Sequence, residues 1–166
     1  MPTLFDTGDE RYRKLTFDGL TSTFTRRFLE SHLLRVARPT IAMAVDLDRL
    51  KRLNDIHGMP AGDHAIRHVS RTLRQHVQLP DIVVRVRGDG FLGVGAFTRE
   101  RADQIRLACA RTLPFNYEHD SAELALEVTV SIALFPLPHT LYEVLQLFEQ
   151  RMAVAKRAGR NRVIAE

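Results

Sequence analysis

The chain is predicted to fold as an α/β (α+β) sandwich, a mixed sheet flanked by helices. Three observations predict it. The stretch TIAMAVDLD at 40–48, with continuous β-branched and apolar character up to Asp46, reads as a buried central strand. The stretch VVRVRGDGFLGVGAF at 83–97 sets Asp-Gly between two apolar runs, which signals a hairpin. Segments with apolar stripes at helical spacing alternate with these strands, and such an order packs helices against a sheet.

TFTRRFLESHLLRVARP, residues 23–39, is the first helix: Phe24, Phe28, His32 and Leu33 fall near helical spacing, and Pro39 marks its end. The strand at 40–48 follows. DRLKRLNDIHG, 48–58, is a short helix with Asp48 as N-cap and Gly58 closing it. GDHAIRHVSRTLRQHV, 62–77, carries Ile66, Val69, Leu73 and Val77 on one stripe. The hairpin comes next, and its Asp-Gly pair predicts a type I′ turn with positive φ values. TRERADQIRLACARTL, 98–113, is a further helix, with Cys109 at core spacing between Ile105 and Leu113. AELALEVTVSIALFPL, 122–137, alternates and then runs apolar, and is read as one long strand. HTLYEVLQLFEQRMAVAKRAG, 139–159, turns Leu141, Val144, Leu145, Phe148 and Met152 inward and ends at Gly159. RVIAE, 162–166, supplies a last short strand.

A length of 166 residues fits one domain, and 45% hydrophobic with 27% charged residues is an ordinary globular balance. No segment approaches ~20 consecutive apolar residues, so no membrane span is expected. The first residues lack the charged start and apolar core of a secretion signal. A single cysteine excludes an intramolecular disulfide. Together these point to a reducing, cytoplasmic setting. The formal charge of +4 leans toward anionic partners such as nucleotides, a lean that surface chemistry alone also explains. No nucleic-acid partner is expected. The first dozen residues are the expected loose segment.

Asp46 lies at the C-terminal end of the 40–48 strand and Asp89 at the hairpin tip, so a central sheet can bring them together. Two carboxylates at a sheet edge suit a hard divalent cation such as Mg²⁺, which can hold a triphosphate. Asp is also common at strand ends and in turns for its own hydrogen bonds. His64 and His68 stand at the i, i+4 spacing of a zinc pair. They oppose the apolar stripe and lack a third ligand, so an exposed face is expected there.

The string DLDRLKRLNDIHGMPAGD resembles the GGDEF family, the diguanylate cyclases that make cyclic di-GMP from two GTP. Asp46, Asp48, Lys51, Asn54, Asp55, Gly58, Gly62 and Asp63 fall on the family pattern. DGLTSTFTRRFL matches the family's opening element at Asp18, Leu20, Thr21, Arg26 and Arg27. AKRAGRN is similar to its closing motif, with Ala155, Lys156, Gly159, Arg160 and Asn161. The hairpin falls on the signature loop as Arg87, Gly88, Asp89, Gly90 and Phe91. The resemblance covers residue 16 to the end, with 1–15 as a lead-in or linker helix.

The resemblance implies a nucleotidyl-cyclase, polymerase-palm-like fold. It implies that Asp46, Asp89 and the Leu47 carbonyl hold Mg²⁺ or Mn²⁺ when nucleotide binds, with Asp89 as base. Lys51, Lys156 and Arg160 would neutralise phosphate, and Asn54 and Asp63 would read guanine. Asn54 and Asp63 also suit plain helix-terminal roles, and Lys156 and Arg160 suit a helix C-terminus. Implied partners are GTP or cyclic di-GMP, a second copy of the domain, and an attached sensory or phosphodiesterase domain. Departures lie in the loop and outside it. Arg87 replaces the signature's first Gly and Gly90 its Glu, while Met59 replaces a His, Thr25 an Asn before the Arg pair, and Ala153 a Tyr or similar residue. The family's inhibitory Arg-x-x-Asp reads QLPD here, with Gln78 and Asp81, so that site is expected to be lost. A degenerate domain with little or no cyclase activity is the expectation. An active cyclase and a structural dimerisation domain are the alternatives.

Overall fold

The computed structural model describes residues 10–117 and 123–165. The first nine residues of the expected lead-in, Ala122 of the expected long strand and Glu166 of the last strand lie outside them. In chain order the elements are α1 (Glu10–Thr16), β1 (Phe24–Thr25), α2 (Arg26–Leu33), β2 (Ile41–Leu47), α3 (Leu50–His57) and α4 (Met59–His76). Then come β3 (Ile82–Arg85), β4 (Gly90–Gly95), α5 (Arg99–Cys109), β5 (Arg111–Phe115), β6 (Leu124–Val128), β7 (Val130–Pro136), α6 (Leu141–Arg157) and β8 (Val163–Ala165). Six strands form one mixed sheet in the order β1-β3-β4-β2-β7-β8, parallel at β1/β3 and β7/β8 and antiparallel between. β5 and β6 pair apart from it.

β2 sits at the centre, and its two-residue side-chain period divides the core. Met43, Val45 and Leu47 belong to one apolar cluster with Val69 and Leu73 of α4 and Ile105 of α5. Ala42 and Ala44 belong to the other, with Leu29 of α2 and Phe148 and Met152 of α6. Each fully buried large side chain contributes roughly 1.5–3 kcal/mol by leaving water. The small alanines leave the α6 face of the strand room for an aromatic and a methionine. The next residue on that face is Asp46. It faces Gly90 of β4 on one side and Ser131 of β7 on the other.

Most predicted elements stand, with five corrections. The first helix begins at Arg26, because Thr25 caps it by accepting from the Phe28 amide at 3.2 Å, and it ends at Leu33, well before Pro39. Phe24 therefore joins the Phe17–Phe24–Phe28–His32 stack from a strand. Asp48 does not cap α3. Arg49 holds that position with φ 60, while Asp48 accepts from Ser131 Oγ (2.7 Å), Thr129 Oγ1 (3.0 Å) and the Asn161 amide (3.0 Å). α4 starts three residues early, at Met59, since Pro60 is tolerated in a first helical turn. α5 ends at Cys109, and residues 111–115 become β5, where Leu113 before Pro114 favours extended backbone. The long strand is split at Thr129 between the two sheets. Gly58 and Gly159, at φ +83 and +116, close their helices as expected.

Cys109 is fully buried on α5, and burial pushes its thiol up to about 12. Thiolate, the reactive form, is therefore scarce at pH 8 in the native state. Ellman's reagent should leave Cys109 unmodified in the folded protein, and the labelling rate with added urea should follow loss of circular dichroism.

Candidate functional site

Asp46 is completely buried, yet it carries a carboxylate at the point where β2 leaves the sheet. A buried charge needs partners, and two cations supply them. Arg87 Nη2 donates to Asp46 Oδ1 at 2.8 Å, and the Lys156 ammonium lies against Oδ2. Lys156 also donates to the Leu47 carbonyl at 3.3 Å. Burial pushes the Asp46 carboxyl above its ordinary value; Lys156 pulls it down, Asp89 adds to the push, and Arg87 opposes it. Burial works against the Arg87 charge too, but Asp46, Asp89 and Glu149 together hold its guanidinium above the ordinary value.

Arg87 makes contacts beyond Asp46. Its Nε lies 3.4 Å from Asp89 Oδ1, its Nη1 meets Glu149 Oε1, and its guanidinium carbon sits 4.9 Å from the centre of the Phe148 ring. Glu149, Met152 and Lys156 share one face of α6 at i, i+3, i+7 spacing, so one helix supplies both an acid and a base to the corner. The hairpin tip is set by backbone. Arg87 and Gly90 exchange amide-to-carbonyl bonds of 3.3 Å, and the Leu47 amide donates to the Asp89 carbonyl at 3.1 Å. None of Gly88, Asp89 and Gly90 takes a positive φ, so the turn is not the expected type I′; its central pair is Gly88-Asp89.

Gly90 is shaped to Arg87. A Cβ there would stand 2.7 Å from Arg87 Cγ, 2.9 Å from Arg87 Nε and 2.9 Å from Phe148 Cζ. The Arg side chain thus lies in the space that any residue larger than Gly at position 90 needs.

The other sequence-predicted residues fall in three further places. Asn54, on α3, packs its amide against Gly62 on α4, where an added Cβ would be 1.8 Å from its Oδ1. Asp63 follows directly, half-buried, so the two guanine-reading candidates share the α3–α4 junction. Arg160 lines a cleft of about 430 Å³ with Asp48, Arg49, Arg52 and Asn161. Lys51 stands exposed on α3. Sequence reasoning missed Glu149 and Phe148 as partners of the loop, and it missed Arg85. Arg85 donates to Asp18 Oδ1 (2.9 Å) and to the Gly88 carbonyl (2.7 Å), pinning the loop to the opening element. An Arg two residues before the loop was the available signal.

His64 and His68 are not an exposed pair. His68 Nε2 lies 3.0 Å from the Cys109 carbonyl and His64 packs 5.4 Å from the Phe115 ring, because β5 covers that face. Among the described residues no cluster of three His, Cys, Asp or Glu side chains is placed to hold a metal ion.

The family model described as "Diguanylate cyclase, GGDEF domain" matches residues 15–162. The chain belongs to the GGDEF family. It is 31% identical over 160 residues to "Diguanylate cyclase DosC" of Escherichia coli K12, covering 88% of this chain and 34% of that protein. It is 30% identical over 162 residues to "Diguanylate cyclase TpbB" of Pseudomonas aeruginosa, covering 90% of this chain and 37% of that protein. The chain thus spans about a third of the length of these relatives. Its fold matches the coiled coil and GGDEF domain of DgcB from Caulobacter crescentus, crystallised with c-di-GMP. That match has a TM-score of 0.78 at 27% identity, over 94% of this chain and 88% of that one. The six-stranded mixed sheet flanked by helices is therefore a GGDEF fold. No helix among the described residues is long and apolar enough to cross a membrane.

On this GGDEF frame, Asp46, Leu47, Asp89, Arg87 and Lys156 meet in one corner. In this arrangement both oxygens of Asp46 are engaged by side-chain cations, and the Leu47 carbonyl faces Lys156. These residues do not fit a divalent ion, which needs free oxygen ligands. Asp81 is likewise engaged internally. Arg101 Nη1 donates to its Oδ2 at 2.7 Å, and Gln78 is exposed. Replacing Gly90 by Ala should destabilise the fold by roughly 1–3 kcal/mol through overpacking. In an Arg87→Gly background the penalty should shrink, since only the Phe148 contact remains. Urea unfolding of the four proteins in this double-mutant cycle measures the coupling.

Proposed function

We propose that this chain is a degenerate GGDEF domain of cyclic di-GMP signalling, which binds GTP or cyclic di-GMP and makes little or no cyclic di-GMP. The observation that carries this reading is the closure of Arg87 on Asp46, Asp89 and Glu149. Phosphoryl transfer depends on positioning and on neutralising charge at the triphosphate. The two carboxylates assigned to that task are instead spent on a guanidinium, which no working pH can deprotonate.

Binding rests on different residues. Asn54 and Asp63 keep the guanine-reading positions at the α3–α4 junction. Arg49, Arg52 and Arg160 give the neighbouring cleft a basic lining, and about 430 Å³ lies in the range of small-ligand sites. A DgcB domain of this fold is known with c-di-GMP bound, which supports a nucleotide as the ligand. The signalling domain is taken as 16–166 with 1–15 as its lead-in, and the proposed partners are a second copy and an attached sensory or phosphodiesterase domain. The Asp81–Arg101 pair supports the reading that the Gln78/Asp81 inhibitory site is lost.

Purified protein incubated with GTP and Mg²⁺ or Mn²⁺ should yield little or no cyclic di-GMP by chromatography, while calorimetry detects GTP or cyclic di-GMP binding. Cyclic di-GMP formation at a rate typical of active cyclases overturns the proposal. Turnover absent with no binding of either nucleotide leaves a structural dimerisation or partner-binding domain. Arg87→Gly combined with Gly90→Glu should raise product formation above the native protein, measured in the same assay. Either change alone should not, because Glu at 90 collides with Arg87 and Gly at 87 leaves one carboxylate missing.

A further inference from the structure

We infer that the Arg87 guanidinium is the resident cation of the Asp46–Asp89 corner, and that the corner takes up no divalent metal while Arg87 is in place. The inference rests on the reading of this corner given above and extends it to a property separable from activity. Four observations carry it. The guanidinium reaches three carboxylates at once, Asp46, Asp89 and Glu149, from a single side chain. Its central carbon lies over the Phe148 ring, adding a cation–π contact to the three acids. Lys156 takes the remaining oxygen of Asp46, so neither oxygen is open to a metal. Gly90 lacks the Cβ that would push the guanidinium out.

The corner holds three acids, Asp46, Asp89 and Glu149, and two bases, Arg87 and Lys156. That leaves an excess of one acid, so exclusion of a metal rests on the contacts Arg87 makes and not on charge balance. A metal entering it must first displace Arg87 from contacts made with a completely buried carboxylate. Breaking such a pair leaves uncompensated charge at low dielectric, which opposes the exchange. Arg is suited to this post: its planar fork meets several carboxylates and it stays charged. Lys at position 87 could neutralise one acid but could not bridge three.

Manganese alone is the probe, read by the electron paramagnetic resonance signal of the free ion as protein is added, without nucleotide. Native protein should leave the signal undiminished at the corner, so native and Asp46→Asn proteins should titrate alike. Arg87→Met keeps the aliphatic stem and removes the charge, and should gain an Mn²⁺ site that Asp46→Asn abolishes. Arg87→Gly, the family's own residue, provides a second variant should the first not fold. Asp46-dependent loss of the free-ion signal with the native protein overturns the inference whatever the variants do. Folded Arg87 variants that gain no Asp46-dependent site overturn the claim that Arg87 excludes the metal. The functional reading fails separately: native protein that binds Mn²⁺ without making cyclic di-GMP sinks this inference and spares that reading. Variants that gain Mn²⁺ but no turnover leave this inference standing and place a further lesion elsewhere.

Discussion

A carboxylate with no solvent exposure closes the central strand, and its two oxygens are held from different parts of the chain. Burying an unpaired charge costs several kcal/mol, so Asp46 is tolerable only because Arg87 arrives from the hairpin and Lys156 from the last turn of α6. Both arrivals depend on distant features. Lys156 reaches the strand end because Ala42 and Ala44 let α6 lie over β2, with Phe148 and Met152 packed between. Arg87 reaches it because β4 pairs with β2 in a register that sets Gly90 opposite Asp46. The hairpin tip, the strand end and the helix C-terminus are therefore one electrostatic unit. Asp48 adds a second anchor two residues later, joining β2 to β7 and to the turn before β8.

Two departures from the signature loop prove to be one structural change. Arg at 87 and Gly at 90 look independent in sequence. In space the first needs the second, since a Cβ at 90 would stand within 3 Å of two Arg87 atoms. The exchange turns the loop's chemistry inside out: an acid that would face a ligand is gone, and a base now faces the protein's own acids. The corner is thereby held together by a side-chain cation of the chain itself.

Much of the architecture was legible because the relevant signals are local. The first five residues of β2, Ile41–Val45, form an unbroken apolar run, and α4 and α6 carry clear stripes. The motif string placed Asp46, Asp89, Asn54, Gly62 and Lys156 in register, and the structure brings the first, second and fifth together. What stayed hidden was decided by contacts across the fold. Leu113 continues the helical spacing of Ile105 and Cys109, yet pairing with β6 draws it into a strand. The split at Thr129 was visible only as a change from alternating to continuous burial, and what fixes it is the bond to Asp48. Asp48 has the residue type of an N-cap, but three donors from elsewhere outcompete its own helix. Glu149 carried no motif; it matters only because helix pitch sets it two turns from Lys156.

β4 shows the same logic at both ends. At its start Gly90 yields space to Arg87, which neutralises Asp46. At its end Gly95 yields space to Asp81, whose carboxyl would lie 2.1 Å from an added Cβ and which Arg101 neutralises. Arg101 also donates to the Ala96 and His76 carbonyls and rests 4.7 Å from the centre of the Phe97 ring, so it is fixed as firmly as Arg87. Two acids, Asp46 and Asp81, are thus both satisfied by arginines of this chain. An acid already bonded to an internal guanidinium offers a ligand little, because each new contact must replace an existing charge-assisted hydrogen bond of similar strength. Both ends of β4 share one physical device, the inward turn of an arginine onto a carboxylate beside a glycine.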